Sequence, residues 1–373
     1  MKYEKELDGI EKSNIICKKR RNRNGNENGN ENDNDNGNDN GNDNDNDNDN
    51  DNFNINDYII TDLSSLINLI NDLISKKPPG KIMKKKLPIR LYKLIDIQDS
   101  LIELNNLIGL EKLKQQLLEQ LIFFVQENTD GMLLHTVIEG PPGTGKTTVA
   151  KIMANIYSGI GILKKNKLTL VKREDLIGQY LGETTIKTSE TLNACKNGVM
   201  LIDEAYSLGS PDNHDSFAKE AIDCINQYLT ENSDKLICII AGYKYELQRY
   251  FFSQNPGLQR RFPWTFTIES FTNLELSKIL IKKIDDTDDY ILDKDINEDY
   301  LSSLIKKEYF SGNAGDIDTI LSRIKIINAR VNFGKYAKNV CYILTKDIIE
   351  EAFDKFYENR KDKIDRIPGL MYT

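Results

Sequence analysis

A run of glycines and prolines, EGPPGTGKTTVAKIMA, occupies residues 139–154 and limits what the chain around it can become. Glycine and proline are both unfavourable inside a helix or a strand, so the run interrupts regular structure. The residues before it, LLHTVIE, are rich in β-forming side chains, whereas the residues after it, TTVAKIMANIY, place apolar side chains at helical spacing. The sequence therefore predicts a strand, a glycine loop and a helix in succession.

The loop has the spacing G-x-x-x-x-G-K-[ST], with Gly140, Gly145, Lys146 and Thr147 at the fixed positions. Such a loop turns backbone N–H groups inward around phosphate oxygens, and the following helix adds partial positive charge. Lys146 is then placed for the β- and γ-phosphates of ATP and Thr147 for Mg²⁺. A chance match in a glycine-rich turn is the weaker alternative. The predicted nucleotide-binding loop residues are Gly140, Pro141, Pro142, Gly143, Thr144, Gly145, Lys146, Thr147 and Thr148.

A second stretch, GVMLIDEA at residues 198–205, is an apolar strand that ends in two acids. The carboxyl ends of parallel strands meet at one edge of a sheet, so these acids should lie near the glycine loop. Asp203 can hold Mg²⁺ through water, and Glu204 can orient and deprotonate an attacking water. An acid that merely terminates a strand is the alternative. The second stretch begins about 50 residues after the glycine loop, and that spacing favours the catalytic interpretation.

Charge is concentrated in the N-terminal part of the chain. From Asn24 to Asn52 every even position is Asn, and the odd positions include ten acids and no base. Without those acids, 50 Lys and Arg face 48 Asp and Glu, so no broad basic surface is indicated and nucleic acid is not an expected partner. Residues 1–56, basic and then Asn/Asp-rich, are predicted to be disordered.

Five cysteines without a C-x-x-C pair predict a reduced intracellular compartment and no zinc site. No apolar run approaches the roughly 20 residues that span a bilayer, and the first residues lack a signal-like apolar core, so no membrane partner is expected. We predict a cytoplasmic protein. The basic run Lys18–Arg23 is typical of a nuclear-localisation patch, with a solvated charge run as the alternative.

Domain boundaries follow from changes of pattern along the chain. Residues 57–77 predict an amphipathic helix that either docks a partner or, as we favour, packs on its own domain. A helix and basic linker thus fill 57–100, and alternating strand and helix signals run over 101–268. Residues 269–357 show helical patterns alone, beginning with a capping box at Thr272 and Glu275, and 358–373 form a C-terminal tail.

Six stretches in order make the chain resemble an AAA+ ATPase, in particular the red-type rubisco activase group (CbbX/CfxQ) and stage V sporulation protein K. The stretches are LNNLIGLEKLK, GPPGTGKTTVAK, EDLIGQYLGETTIKT, GVMLIDEAYSL, IIAGY and FFSQNPGLQRRF. The resemblance covers roughly 101–357. It implies an α/β P-loop NTPase fold, a parallel sheet flanked by helices and followed by a small α-helical lid.

The resemblance also implies roles for residues outside the phosphate loop. Ile108 and Gly109 correspond to a segment that contacts adenine. Tyr180 and Leu181 resemble the aromatic-aliphatic pair of a central pore loop, although Tyr180 could be an ordinary half-buried tyrosine. The stretch NPGLQRRF resembles the one that supplies an arginine finger to the neighbouring subunit of a ring, and the resemblance implies that this ring is a hexamer. The corresponding residues are Arg261 and its neighbour Arg260.

Two positions depart from the group. Tyr243 lies near the place where many AAA+ proteins carry the asparagine of sensor 1. Gly315 and Asp318 stand where the group has lid arginines, and Arg323, about two turns further, is too far away to replace them.

The resulting expectation is a Mg²⁺- and ATP-dependent ring that remodels an unidentified protein client through its pore. An ATP-binding scaffold or assembly switch with slow turnover is the main alternative. A nucleic-acid motor would need a basic, pore-facing insertion, which the sequence does not show.

Overall fold

The computed structural model describes residues 14–16, 58–75, 91–126, 132–165, 167–180, 182–209, 215–287, 289–334 and 340–365. Its strands are β1 (Asn14–Ile16), β2 (Thr136–Glu139), β3 (Leu168–Val171), β4 (Val199–Ile202), β5 (Ile237–Gly242), β6 (Trp264–Thr267), β7 (Tyr290–Leu292) and β8 (Val340–Leu344).

The helices alternate with these strands as far as β6 and dominate after it. They are α1 (Leu63–Ser75), α2 (Gln98–Asn105), α3 (Glu111–Gln126), α4 (Lys146–Gly159), α5 (Arg173–Leu176), α6 (Glu183–Ala194), α7 (Ser216–Glu231), α8 (Asn273–Asp285), α9 (Glu298–Leu304), α10 (Ala314–Val331) and α11 (Lys346–Asp365). Shorter helical turns cover Leu91–Ile97, Ala205–Leu208, Lys244–Glu246, Leu247–Phe251, Phe252–Gln254, Gln259–Arg261 and Lys307–Tyr309.

A five-stranded sheet in the order β3-β4-β5-β2-β6 forms the centre of the fold, and all of its neighbouring pairs are parallel. Strands β2, β4 and β5 are buried along their whole length because helices cover both faces of the sheet. The parallel orientation brings the carboxyl ends of β2, β4 and β5 to one edge. This arrangement confirms the expected α/β fold.

Three apolar clusters hold the structure together. One joins α1 to α4 with one face of the sheet, and a second packs α6 and α7 against the other face. The third lies among α8 to α11, with Leu280, Ile317 and Phe353 at its centre. The C-terminal helices therefore possess a core of their own beside the nucleotide-binding sheet, and we call them the lid.

Helix α1 packs onto the body of the protein. Its apolar face is 0–3% exposed at Leu63, Leu66, Leu69, Ile70 and Leu73. The helix begins later than the expected residue 57 because the Asp62 carboxylate accepts a hydrogen bond from the N–H of Ser65 at 2.7 Å and caps the first turn.

Three short strands lie where the sequence led us to expect none. Strands β7 and β8 pair in parallel within the part predicted to be helical alone, and β1 pairs antiparallel with β8 inside the predicted disordered tail. Their β-branched and aromatic residues, NII, YIL and VCYIL, favour extended backbone once a partner strand is available. The Asn/Asp tract and the basic run before it lie outside the described residues.

Trp264, the chain's one tryptophan, opens the edge strand β6. Its indole N–H donates to the carbonyl of Leu133 at 3.0 Å, and its ring meets Phe124 edge-on at a centroid distance of 6.4 Å. These contacts fasten β6 to the segment before β2 and to α3.

His135 is fully buried immediately before β2, where its Nδ1 accepts the N–H of Cys238 at 3.1 Å. Burial, with a smaller contribution from Arg261, lowers the pKa of His135 from 6.5 to about 4. The folded protein therefore holds the neutral imidazole.

We expect this histidine to make folding sensitive to moderate acid. Below pH 6.5 the imidazole of His135 becomes protonated in the unfolded chain, whereas in the folded chain it stays neutral down to about pH 4. The contribution of His135 to the free energy of unfolding is therefore fully present above pH 6.5, and up to about 3 kcal/mol of it is lost toward pH 4. Urea unfolding across this range should show a shallower fall in His135→Asn, whose amide oxygen replaces the Nδ1 acceptor. Equal pH dependence of the unfolding free energy in both proteins would contradict the assignment.

Candidate functional site

The glycine loop joins β2 to α4 in a backbone conformation that needs glycine. Gly143 and Gly145 have φ of 67° and 85°, and Gly145 is the residue immediately before α4. The Thr144 hydroxyl donates to the carbonyl of Pro141 at 2.9 Å and closes the turn. The loop thus leads directly into a helix N-terminus, the arrangement in which N–H groups face an anion.

Lys146 folds back over this loop. Its Nζ donates to the carbonyls of Gly140 at 2.9 Å and Pro141 at 2.8 Å. Burial lowers the pKa of Lys146, whereas the carboxylates of Asp203 and Glu204 act in the opposite direction. The ammonium is therefore a partly desolvated cation held within the loop that it is predicted to serve.

The two predicted Mg²⁺ ligands lie in direct contact. The Thr147 hydroxyl donates to Oδ2 of Asp203 at 2.5 Å, although 56 positions separate them in the sequence. The other oxygen of Asp203 accepts the N–H of Glu204 at 3.0 Å. The structure thus brings the start of α4 and the carboxyl end of β4 together, as the parallel sheet predicts.

Glu204 is exposed and has a left-handed backbone, with φ of 52°. The side chain of Tyr206 lies close enough to this carboxylate to interact with it electrostatically. Burial, followed by the nearby Glu204 carboxylate, raises the pKa of Tyr206, so the phenol stays protonated. The strained turn after β4 therefore presents the Glu204 carboxylate beside a protonated phenol.

Tyr206 in turn connects this acid to Lys146. Its ring stacks on that of Tyr243, with centroids 5.3 Å apart and planes 21° from parallel. Nζ of Lys146 lies 4.8 Å from the Tyr243 ring centroid, within the range of a cation–π interaction. The residue near the expected sensor 1 position thus contacts the lysine through its aromatic face.

A cavity of about 450 Å³ opens between the glycine loop and the lid. Ile108, Leu110 and Ile279 give it apolar walls suited to a flat base, and Gly109, with φ of 68°, forms the adjacent turn. The full set of lining residues is Leu107, Ile108, Leu110, Gly143, Thr144, Gly145, Thr148, Phe271, Ile279, Lys282, Lys283, Asp286 and Ala314.

The lid offers two lysines of α8, Lys282 and Lys283, to this cavity. A side chain at Gly315 would have open space, because a Cβ there meets no atom of the described residues within 4 Å. Asp318 pairs with Nζ of Lys283 at 2.6 Å, and Lys283 lines the cavity. Sequence reasoning missed Lys283, although the consecutive lysines of α8 were a visible signal.

Tyr180 is 70% exposed on a loop whose backbone is held by the helix after it. The N–H groups of Gln179 and Tyr180 donate to one carboxylate oxygen of Glu183, at 3.0 and 3.1 Å. The aromatic side chain therefore projects from a braced turn. Leu181, its predicted partner, lies outside the described residues.

The structure does not place Arg261 at its own glycine loop. The turn Gln259–Arg261 lies near His135, whose ring is 5.9 Å from that of Phe262, at the opposite end of β2 from the loop. Arg260 is exposed. Nε of Arg261 is buried with no hydrogen-bond partner among the described residues. A catalytic role for either arginine would therefore require a second subunit.

The described residues contain neither a clustered metal site nor a membrane-spanning helix. No group of three or more His, Cys, Asp or Glu in those ranges is arranged to hold a metal ion. Within the same part of the chain, no helix has both the length and the apolar character needed to cross a bilayer.

Comparison with known proteins gives consistent matches. The family described as "ATPase family associated with various cellular activities (AAA)" matches residues 136–255. The cfxQ-like protein R730 of Acanthamoeba polyphaga mimivirus is 36% identical over 78% of this chain and 72% of its own length. The protein CfxQ homolog of Galdieria sulphuraria is 32% identical over 70% of this chain and 90% of its own length. The ESX-3 secretion system protein EccA3 of Mycolicibacterium smegmatis is 38% identical over 50% of this chain and 32% of its own length.

Proposed function

Because the chain belongs to the CfxQ-like AAA ATPases and is an ATP-hydrolysing enzyme, we propose that it works as a Mg²⁺-dependent ring that remodels a protein client. The observation that carries the catalytic part is the contact between Thr147 and Asp203, with Lys146 and Glu204 beside them. This contact supports a proposed phosphate-binding loop, metal-binding pair and base that act together at one sheet edge.

The loop residues bind and orient the triphosphate in this proposal. Backbone N–H groups of the loop and of the first turn of α4 face the phosphates, and Lys146 exchanges its two carbonyl partners for β- and γ-phosphate oxygens. The hydroxyl of Thr147 and the carboxylate of Asp203 are hard oxygen donors that suit Mg²⁺. When bound, the metal ion supplies charge neutralisation of the phosphates.

Glu204 acts as the general base in this scheme. Its carboxylate orients a water molecule for in-line attack on the γ-phosphate and takes up the proton. The protonated phenol of Tyr206, which lies nearby, is proposed to steady the carboxylate. Apolar walls at Ile108 and Ile279 receive the adenine ring.

Replacing this base tests the assignment. Glu204→Gln keeps the size of the side chain but cannot accept a proton near neutral pH, so turnover should fall by about 10²-fold or more while ATP binding is retained. Phosphate release and calorimetric ATP binding measure the two effects. Glu190→Gln, a matched change at an exposed position of α6, should leave both unchanged. Turnover at the parental rate in Glu204→Gln would assign water activation to another group.

Ring assembly and client remodelling rest on further features. Arg261, with Arg260 beside it, is proposed to complete the site of a neighbouring subunit, since it lies far from its own loop along β2. The exposed ring of Tyr180 is proposed to grip a client peptide in the pore, where an aromatic surface needs no particular sequence. Family membership supports a hexamer.

Slow turnover in an assembly switch is the second candidate. It is favoured by Gly315 and Asp318, because neither places a guanidinium over the cavity. Two results would together support the assembly switch over the client-remodelling ring. The parent protein would hydrolyse ATP only a few times faster than Glu204→Gln, and the size of its oligomer would depend on nucleotide.

A further inference from the structure

We propose that Asn313 is a positioning residue that ties the conformation of the glycine loop to the position of the lid. Asn313 lies in the turn between Phe310 and α10, and its side chain reaches the loop directly. This inference rests on the proposed role of the loop in phosphate binding and adds to it the means by which lid position controls that loop.

The Asn313 side chain bridges two segments that are far apart in sequence. Its Nδ2 donates to the carbonyl of Pro142 at 3.0 Å, and its Oδ1 accepts the N–H of Phe271 at 3.1 Å, just before α8. The residue is 1% exposed, so its amide group is shielded from bulk water. Both functional groups of one amide are therefore committed, one to the glycine loop and one to the segment that leads into the lid.

The backbone of the same turn makes a second connection. The N–H of Ala314 donates to the carbonyl of Gly143 at 3.1 Å. A Cβ at Gly143 would lie 2.0 Å from the carbonyl oxygen of Gly312, so only glycine allows the loop and the turn to approach this closely.

These bonds fix the orientation of two peptide planes. In a trans peptide the C=O and the following N–H point in opposite directions. Holding the carbonyls of Pro142 and Gly143 toward the lid therefore turns the N–H groups of Gly143 and Thr144 away from it. Because phosphate binding by such loops depends on the direction of successive N–H groups, the lid turn sets the geometry of the binding loop.

The turn itself is braced by the rest of the lid. The Asp316 carboxylate accepts the N–H of Gly312 at 2.6 Å and pairs with Arg360 of α11, and Asp316 is 3% exposed. Asn313 has φ of 49° and ψ of −122°, a conformation that is unfavourable for a side-chain-bearing residue and is maintained by these surrounding contacts. Movement of the lid helices would thus be transmitted to the loop through one rigid turn.

Asn313→Asp tests the connection with the least change in shape. The carboxylate keeps an acceptor for the N–H of Phe271 but cannot donate to the carbonyl of Pro142. We expect ATP to bind about tenfold more weakly, the scale of one lost hydrogen bond. Hydrogen exchange of the amides in residues 140–148 should become faster, since their peptide planes are no longer held.

Asn328→Asp is the matched control, because Asn328 lies in α10, the helix that Asn313 precedes, is 2% exposed and accepts a hydrogen bond from Asn332, not from the loop. It should lower the melting temperature yet keep the parental ATP affinity and loop exchange. Asn313→Gly covers the case in which Asn313→Asp does not fold, since glycine accepts the backbone conformation and still removes both side-chain bonds. It should weaken ATP binding by at least as much.

Parental affinity and parental loop exchange in Asn313→Asp or Asn313→Gly would overturn the proposal. An equal loss of affinity in Asn328→Asp would also overturn it, because the effect would then reflect general weakening of the lid. The parent protein and Lys146→Ala separate this result from a failure of the proposed function. If the parent binds ATP and Lys146→Ala does not, the loop is the phosphate site whatever Asn313 does.

Discussion

Arg261→Ala is expected to lower ATP turnover by about 10³-fold, by analogy with arginine fingers that stabilise transition-state charge. The residue lies beside the start of β2, whereas the glycine loop follows the end of that strand, so we propose that its guanidinium serves a neighbouring subunit of the ring. ATP binding to an isolated subunit should be unchanged. Steady-state phosphate release and nucleotide titration measure the two quantities.

Mixing variants provides the decisive control for this prediction. Arg261→Ala subunits supply an intact phosphate loop, and Lys146→Ala subunits supply an intact arginine. Rings that contain both should recover part of the activity that neither has alone. No recovery in rings shown to be mixed would contradict a shared site. If Arg260→Ala causes the larger loss, the exposed neighbour is the residue that crosses the interface.

Lys146→Ala is expected to abolish ATP binding. The ammonium is a cation held inside the loop by the carbonyls of Gly140 and Pro141, and its removal leaves those carbonyls facing the triphosphate without a compensating charge. Equilibrium binding of ATP, followed by calorimetry, measures the effect. Lys151→Ala, an exposed lysine of the same helix, should bind ATP as the parent does.

Two results would count against that assignment. Equal ATP affinity in Lys146→Ala and the parent would mean that the loop is not the phosphate site. A melting temperature that falls far more in Lys146→Ala than in Lys151→Ala would indicate that the lysine mainly holds the loop together through its two carbonyl bonds.

The sheet was predictable because each of its buried strands is a continuous apolar run followed by a helix. The same logic placed the glycine loop and Asp203 at one edge, and the structure brings Thr147 and Asp203 into contact there. The capping box of Thr272 and Glu275 is present at the start of α8 as predicted. Local sequence patterns were therefore sufficient to predict features that depend on a single strand, loop or helix end.

Interactions between distant segments were not predictable in this way. The spacing of apolar residues predicts strands and helices one at a time, so it does not indicate that Asn313 contacts Pro142 or that Tyr206 stacks on Tyr243. These contacts depend on how whole elements pack. Strand β7 is too short to show a pattern of its own and forms by pairing with β8. The resemblance implied arginines at two lid positions and gave no indication that Lys283 lines the cavity.

The position of Trp264 determines what an optical measurement of this protein reports. Since the chain's one indole is hydrogen-bonded to the segment before β2 and packs against α3, its emission follows the nucleotide-binding sheet. The lid core contains phenylalanine and tyrosine but no indole, so its unfolding is silent at tryptophan wavelengths. Parallel recordings of tryptophan fluorescence and far-ultraviolet circular dichroism would therefore separate loss of the sheet from loss of the lid, and coincident transitions would show that the two melt as one cooperative unit.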